Sequence, residues 1–480
     1  MIKKTVKAHP IMMLSLMKPY LFVLILPLIR ALIQYVTTKT VDGLLSLELL
    51  AFAFILAVAV LSYRAISITV SDRRLRVQKG IVIKSCAVIE FPRLSCIALR
   101  RNVLDYIFGS VEFSVNTEAG RPGKKDFSFK MSCRDAQSLL KTIYGDAPRE
   151  VIKFSPTKIA ILAATTSSAF SGMLICVPLV NQTGDLLGIA LSELLLNEIN
   201  NVSARINTLA PPLVNTVTII VLLTYFVAVI FTFFKNVNFK LQSGEDIIEI
   251  QSGLVVRRQI AFKKSKVNNV CLEQTPLMRF FKSFSMRASI GGYGDSRGEK
   301  PVIIPAASYK EAKAELERHF PHFETHEEAL RPLQTPRNRN RFFLVPLWLL
   351  VAILATSIVS AMIFKYFSSL IMFLMVVLIA VDFYYAYLCY RKYTHSRFSI
   401  KKSVLASGII GFNTREMYCD KGNIGMIKIV RTPADVRYNT CKVKITVRSE
   451  NAESVRVNNL ELDAVSDALK EAFNIATNFN

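Results

Sequence analysis

FFLVPLWLLVAILATSIVSAMIF, residues 342–364, is followed after Lys365-Tyr-Phe367 by SSLIMFLMVVLIAVDFYYAYLCY, residues 368–390. About 20 apolar residues are needed to cross the hydrocarbon core, where a backbone amide finds no partner outside its own helix. Two such runs only three residues apart predict an antiparallel transmembrane hairpin. Outward from it, the same pairing occurs twice more, at 19–36 with 44–63 and at 158–180 with 213–234. In the middle pair the connection, 181–212, is longer. Its residues 186–206 carry Leu, Ile and Ala at helical spacing, which predicts an amphipathic interfacial helix outside the cell. The first ten residues lead directly into a span without a small-residue cleavage site, so the first helix is expected to be retained.

The rest of the composition agrees. Of 480 residues, 51% are hydrophobic and 20% charged, too apolar for an ordinary soluble chain, yet the net charge is +24. The polar parts are therefore strongly basic and suited to phosphate-bearing partners, of which anionic lipid is preferred. Nucleic acid is not expected, since no aromatic platform on an open sheet face is evident. The connections within the three hairpins hold only Lys39, Arg205 and Lys365, whereas the N-terminus and the long connections between hairpins hold nearly all other Lys and Arg. The positive-inside rule then puts both termini and every large domain in the cytoplasm of a multi-pass protein.

Within the spans, Arg30 and Glu48 fall at similar depth near the outer ends of the first two helices. They read as a structural ion pair or as snorkelling side chains, with an ion or proton path as the alternative. Asp382, among Phe383, Tyr384, Tyr385 and Tyr387, reads as an interfacial anchor. Thr165, Thr166, Ser167, Ser168, Asn215, Thr216 and Thr218 could line a transport path or simply let helices pack closely.

After each hairpin comes a repeated pattern. Copies begin with SITV at 67–70, NFKL at 238–241 and RFSI at 397–400, and each continues through alternating residues to a glycine, Gly80, Gly253 or Gly408. Alternation broken by glycine predicts a β-hairpin. Leu94 and Ile97 stand at the same distances from Gly80 as Val267 and Val270 do from Gly253; in the third copy Ile424 and Ile427 lie two residues farther on. More short strands follow, and each copy ends in an amphipathic helix, expected at 133–144, 308–320 and 462–474. Strands first and one packing helix last indicate an α+β domain with a curved antiparallel sheet. The chain thus divides into hairpins at 1–63, 151–234 and 342–390, β-rich domains at 64–150, 235–325 and 391–480, and a linker at 326–341.

Two spanning helices, the turn at Gly80, IEFPRLSCIAL at 89–99, IFG at 107–109 and a closing helix together resemble the bacterial PH-domain membrane family. The second copy carries the match at 260–281, and the three-copy layout resembles its long, YdbT-like members; the third copy departs at Gly422 to Gly425. The resemblance implies a membrane α-helical bundle of six transmembrane helices carrying three α+β PH-like domains. It also implies a smaller single-copy PH-domain membrane protein as partner and a role in envelope stress or bacteriocin tolerance.

Catalytic chemistry is not signalled. No nucleophile elbow, Walker loop or zincin helix occurs, and Gly291-Gly-Tyr-Gly294 joins two strands instead of leading into a helix. The eight Cys and the trio His319, His322 and His326 have no zinc-site spacing, and no cofactor is expected. The candidate contacts are therefore basic residues after each hairpin: Arg73, Arg74, Arg76 and Lys79; Arg257, Arg258, Lys263, Lys264 and Lys266; Arg391, Lys392, Arg397, Lys401 and Lys402. They fix topology, and each near the surface would add about 1 kcal/mol of attraction to anionic headgroups. The reading is a non-enzymatic membrane scaffold, with a transport or export component as the alternative.

Overall fold

The computed structural model describes the chain apart from residues 1–3, 18–43, 72, 82, 119–124, 146–148, 169–171, 174–175, 177–190, 206–211, 294–299, 324–328, 402, 449–452 and 475–480. Copy one begins upstream of its hairpin. Strand β1 (Lys4–Lys7) pairs with β2 (Ser67–Ser71), which follows the apolar helix α1 (Leu44–Arg64). Then come β3 (Arg74–Lys79) and β4 (Ser85–Glu90), which complete an antiparallel sheet in the order β1-β2-β3-β4. Ile68, Val70, Leu75 and Val77 point inward while Arg74 and Arg76 point out, the period of two expected of a half-buried strand. A 3-10 turn at Phe91–Arg93, with Pro92 in it, redirects the chain into β5 (Leu94–Arg101). After that follow α2 (Val103–Ile107), β6 (Ser110–Thr117), β7 (Phe127–Ser132) and α3 (Cys133–Tyr144). Ile97, Phe113, Met131 and Leu139 join Ile68 and Leu75 in one buried core.

Copy two repeats the order: β8 (Glu150–Lys153), the helices α4 (Pro156–Thr166), α5 (Leu191–Arg205) and α6 (Pro212–Asn236), then β9 (Lys240–Ser243), β10 (Ile247–Ser252) and β11 (Arg257–Lys263). Through a turn at Lys264–Lys266 it continues into β12 (Val267–Gln274), α7 (Pro276–Phe280), β13 (Phe284–Ile290), β14 (Val302–Ala307) and α8 (Tyr309–His319). In copy three Leu330 bridges Phe398 where the first strand would stand. Next are α9 (Pro336–Ile363), α10 (Ser368–Thr394), β15 (Arg397–Ile400), β16 (Ser403–Ile410) and β17 (Asn413–Asp420). After a turn at Lys421–Asn423 come β18 (Ile424–Val430), α11 (Pro433–Arg437), β19 (Thr440–Val447), β20 (Ser454–Glu461) and α12 (Leu462–Phe473).

The sheets cross the copies. A seven-stranded sheet runs β7-β6-β5-β11-β10-β9-β8, a six-stranded one β14-β13-β12-β17-β16-β15, and β18-β19-β20 form a third. The second half of each of the first two copies is thus continued, strand to strand, by the first half of the next. Two compact units result: Met1–Ile152 with Lys240–Lys266 and Ile290–Glu299, and Lys153–Phe239 with Val267–Ser289 and Lys300–Asn480. The domain limits read from the repeat do not coincide with either unit, because β1, β8 and Leu330 precede the hairpins and the sheets are shared.

Six spans were expected; among the described residues, three helices are long and apolar enough to cross a membrane, Asn215–Asn236, Phe343–Ile363 and Leu370–Thr394. The last two form a hairpin closed by the turn Lys365–Phe367. The first span and much of the third fall outside the described residues, and α1 contributes a shorter apolar stretch, Phe52–Arg64. Only Leu191–Arg205 of the predicted interfacial helix is described. Gly80 and Gly253 occupy equivalent turns at φ +107° and +102°, whereas the third turn is at Gly411 (φ +60°). Gly408 instead lies inside β16, where a Cβ would come within 2.5 Å of the Arg456 carbonyl oxygen, so close approach of β20 excludes a side chain.

Candidate membrane interface

The short helix after the first strand of each second sheet is held by its cap. Asn102 and Asp105 form a capping box on α2, and Thr432 and Asp435 form one on α11; Thr275 accepts from the Met278 N–H on α7. Asp105 also accepts from Ser110 Oγ at 2.7 Å and pairs with Lys130 at 2.7 Å. Burial alone would raise its pKa, but the hydrogen bonds from Lys130, Ser110 and the Asn102 N–H outweigh it and hold the carboxyl below its usual range. Anchored on the protein side, these helices turn apolar side chains outward. Leu104, Ile107 (71%) and Phe108 are exposed on and after α2, Leu277, Phe280 (80%) and Phe281 on and after α7, and Val436 on α11.

Beside each of the first two helices stands the hairpin tip of the following copy. Next to α2 it is Leu254 and Val255, both exposed, with Arg257 over the Tyr106 ring at 5.6 Å and Arg101 over the same ring at 4.0 Å. Next to α7 it is Ile410 and Phe412, also exposed. Arg279 ties this second pad together, donating to the Thr414 hydroxyl at 2.8 Å, to the Tyr384 hydroxyl at 3.3 Å and to the Phe412 carbonyl at 3.4 Å. Phe412 stacks on Tyr384 with ring centroids 6.0 Å apart. Tyr384 belongs to α10, so the pad meets the basic, Tyr-rich end of a helix with the length and hydropathy of a membrane span. Large exposed apolar side chains framed by arginine and tyrosine are what a headgroup interface accommodates.

The family model described as Bacterial PH domain matches residues 20–147 and 190–321, more than half of the chain. The chain belongs to the bacterial PH domain family. No curated protein and no solved structure matches it. Copy three repeats the element order of the two matched PH copies, from the strands after its hairpin to its closing helix. In each copy the long apolar segment of the sequence falls between the first edge position, β1, β8 or Leu330, and the second strand.

Several of the basic residues read from the sequence have local partners of their own. Arg73 is exposed at φ +58°, Arg74 pairs with Glu90 at 3.2 Å on the surface, Arg76 donates to Cys86 Sγ at 3.1 Å, and Lys79 lies 5.9 Å from the Phe127 ring. Arg257 joins the first pad; Arg258, in β11, stands opposite Arg100; Lys263 is half-buried; Lys266 is neutralised by Glu118 at 2.7 Å. Burial lowers the pKa of Lys264 against the pull of Asp246 and Glu245. Arg391 donates to the Tyr387 hydroxyl at 3.5 Å, Lys392 is half-buried, Arg397 and Lys401 are exposed, and Lys402 lies outside the described residues. Arg30 and the side chain of Glu48 also lie outside them.

Other sequence candidates have local uses. Thr165 and Thr166 donate back to the carbonyls of Ile161 and Leu162, Ser167 reaches Ala228 O and Thr232 Oγ1, and Thr216 donates to Ser203 Oγ. A Cβ on Gly172 would lie 1.7 Å from the Thr224 carbonyl, so backbones of neighbouring helices touch there. Asp382 is buried. His319 is buried and 3.0 Å from Glu315, His322 packs on Phe323, and His326 lies outside the described residues. Among the described residues no three metal-ligating side chains converge. Sequence reading missed the pads: the apolar residues of IFG at 107–109 and MRFF at 278–281 were legible as family motif, with no periodicity to say which way they point.

Proposed function

We propose that this protein is a non-enzymatic, six-span membrane scaffold whose three PH-like copies rest on the cytoplasmic leaflet. The apolar pads dip into the headgroup layer there, and the basic residues around them attract anionic lipid. The stacking of Phe412 on Tyr384, in the Tyr-rich stretch of α10, carries this reading, because it joins a pad directly to a candidate span. Charge supports the same side: Arg101 and Arg257 both lie over the Tyr106 ring of the first pad, and Arg279 is part of the second. Burying one aliphatic or aromatic side chain of a pad is worth about 1.5–3 kcal/mol. Several pads acting together hold the copies flat on the leaflet. The scaffold acts in envelope stress or bacteriocin tolerance and works with a smaller single-copy PH-domain membrane protein.

The test replaces the single tryptophan, Trp348→Phe, and installs Ile107→Trp in the full chain reconstituted into vesicles of phosphatidylglycerol and phosphatidylcholine. Lipids brominated on the acyl chain should quench the new tryptophan, and more strongly as the anionic fraction rises. An unquenched, water-exposed emission would remove the membrane-surface reading. Deleting the gene should raise sensitivity to membrane-active peptides, and unchanged sensitivity across such peptides would remove the stress role. A green fluorescent fusion after Asn480 should be bright and an alkaline phosphatase fusion inactive; the reverse would invert the topology.

A further inference from the structure

Among the described residues, the sheets of successive copies join in the same way twice. The first strand of a second sheet pairs with the last strand of the next copy's first sheet, β5 with β11 and β12 with β17. The register is the same at both junctions. Cys96, two residues after the start of β5, faces Phe262, two before the turn at Lys264, and Arg101 faces Arg257. Asn269, two after the start of β12, faces Cys419, two before the turn at Lys421, and Gln274 faces Thr414. Two strands in these roles have no such neighbour among the described residues. They are β4, the last strand of the first copy's first sheet, and β18, the first strand of the last copy's second sheet.

Their side chains report the missing strand. Cys96 and Asn269 are both 0% exposed, but Met426, at the same place in β18, is 49% exposed. Ala261 and Tyr418, the third residues before their turns in β11 and β17, are 0% and 1% exposed, but Val88, their equivalent in β4, is 54% exposed. At both internal junctions the pairing carries the sheet from one copy into the next, and Ala261 packs into the core of the copy before it. An edge of this length bearing outward Met426, Val430 and Val88 is a template for strand addition.

We propose that β18 of one molecule pairs antiparallel with β4 of a second copy of this chain, repeating between molecules the junction used twice within each. The proposal stands apart from the scaffold reading, since it rests on strand register alone. The shared register fixes the partners: Met426 faces Ile89, Ile427 faces Val88, Lys428 faces Ala87, Ile429 faces Cys86 and Val430 faces Ser85 of the second copy. The facing sides agree. Ile89 points into its own core and meets the outward Met426, while Ile427, packed on its own core, meets the outward Val88. Because the two surfaces differ, the contact is heterologous and adds molecules head to tail, into a ring where the rotation closes and a row where it does not.

Cys86 is exposed and free, so one substitution tests the register. Directly opposed residues of an antiparallel pair have Cα atoms about 4.5–5.5 Å apart, within the range a disulfide spans. The variant Ile429→Cys, oxidised in its native membranes, should give a reducible product at twice the 53.9 kDa of the chain, followed by a ladder of larger multiples. Adding Cys86→Ser should abolish it. Lys428→Cys, whose side chain falls on the other side of the sheet from Cys86, should cross-link at less than a tenth of the yield. A second pair of exposed positions, Val430→Cys with Ser85→Cys in the Cys86→Ser chain, should behave as Ile429→Cys does and needs no change to packed residues. Val88→Lys should reduce the mass of the detergent-purified assembly to that of one chain. Absence of product from both pairs, equal yield from Lys428→Cys, capture of a different protein at Cys86, or an unchanged mass on Val88→Lys would each overturn the proposal.

Discussion

The two internal junctions share a register and differ in their polar chemistry. One strand away from β5 with β11, buried Glu249 of β10 is met by Arg149 and by the amides of Gln251 and Gln259, both at 2.7 Å, while the junction itself sets Arg257 opposite Arg101 and Arg258 opposite Arg100. At β12 with β17, Glu273 pairs with Arg415 at 2.6 Å and Arg287 at 3.3 Å, and buried Glu453 is met by Lys300, by Arg415 at 3.5 Å and by Asn269 at 2.9 Å. Backbone geometry and alternating apolar residues set the pairing, which is why it repeats. The buried set at β12 with β17 is private to that junction and penalises exchange of one copy's strand for another's, since a mispaired carboxylate would lose its cation in a site with little water.

Removing the cation is therefore the largest effect expected. Arg149→Ala leaves buried Glu249 with neutral amides only and should cost about 3–5 kcal/mol, the range for breaking a buried ion pair. Thermal unfolding of the detergent-purified chain should show a lower transition. Arg415→Ala should cost less, about 1–3 kcal/mol, because Arg287 still pairs with Glu273 and Lys300 with Glu453. Equal losses at the two sites would dissolve the distinction between them.

The pads sharpen the comparison through pH. The carboxyl of Asp105 is depressed in the fold, so its contribution is present above the unfolded value near about 4 and is lost as pH falls through the folded one. Asp105→Asn should remove that part of the acid sensitivity and cost about 1–3 kcal/mol at neutral pH. Burial raises Glu416, against hydrogen bonds from Tyr418 at 2.8 Å and Tyr309 at 3.2 Å, so its sign is opposite. Its contribution is present at low pH and declines as pH rises through the folded value, and Glu416→Gln should flatten that decline. Melting curves from pH 4 to 8 would read both. Smallest of all, Arg74→Ala breaks an exposed pair with Glu90 and should shift stability by less than about 1 kcal/mol.

Much of the fold was legible because it rests on period. Leucine-rich runs gave α9 and α10, alternation gave β3, β10 and β16, and helical spacing gave α3, α8 and α12 to within a residue or two at each end. Long-range pairing was not legible. Nothing in Lys4–Lys7 or Glu150–Lys153 distinguishes four-residue strands that wait for a partner across an entire hairpin, and no local signal says that β11 pairs with β5 of the preceding copy. The glycine register misled in copy three, because Gly408 answers a close backbone and not a turn. Basic residues were counted correctly as a class but could not be sorted. Lys266 is spent on Glu118, while Arg279, outside every cluster singled out, organises the second pad.

The claim that the pads enter the bilayer is tested most directly by a spin label at Phe280→Cys, in the full chain reconstituted into anionic vesicles. The label should collide more with oxygen, which concentrates among the acyl chains, than with a water-soluble nickel chelate. Preferential collision with nickel, as for a label in open water, would contradict the account.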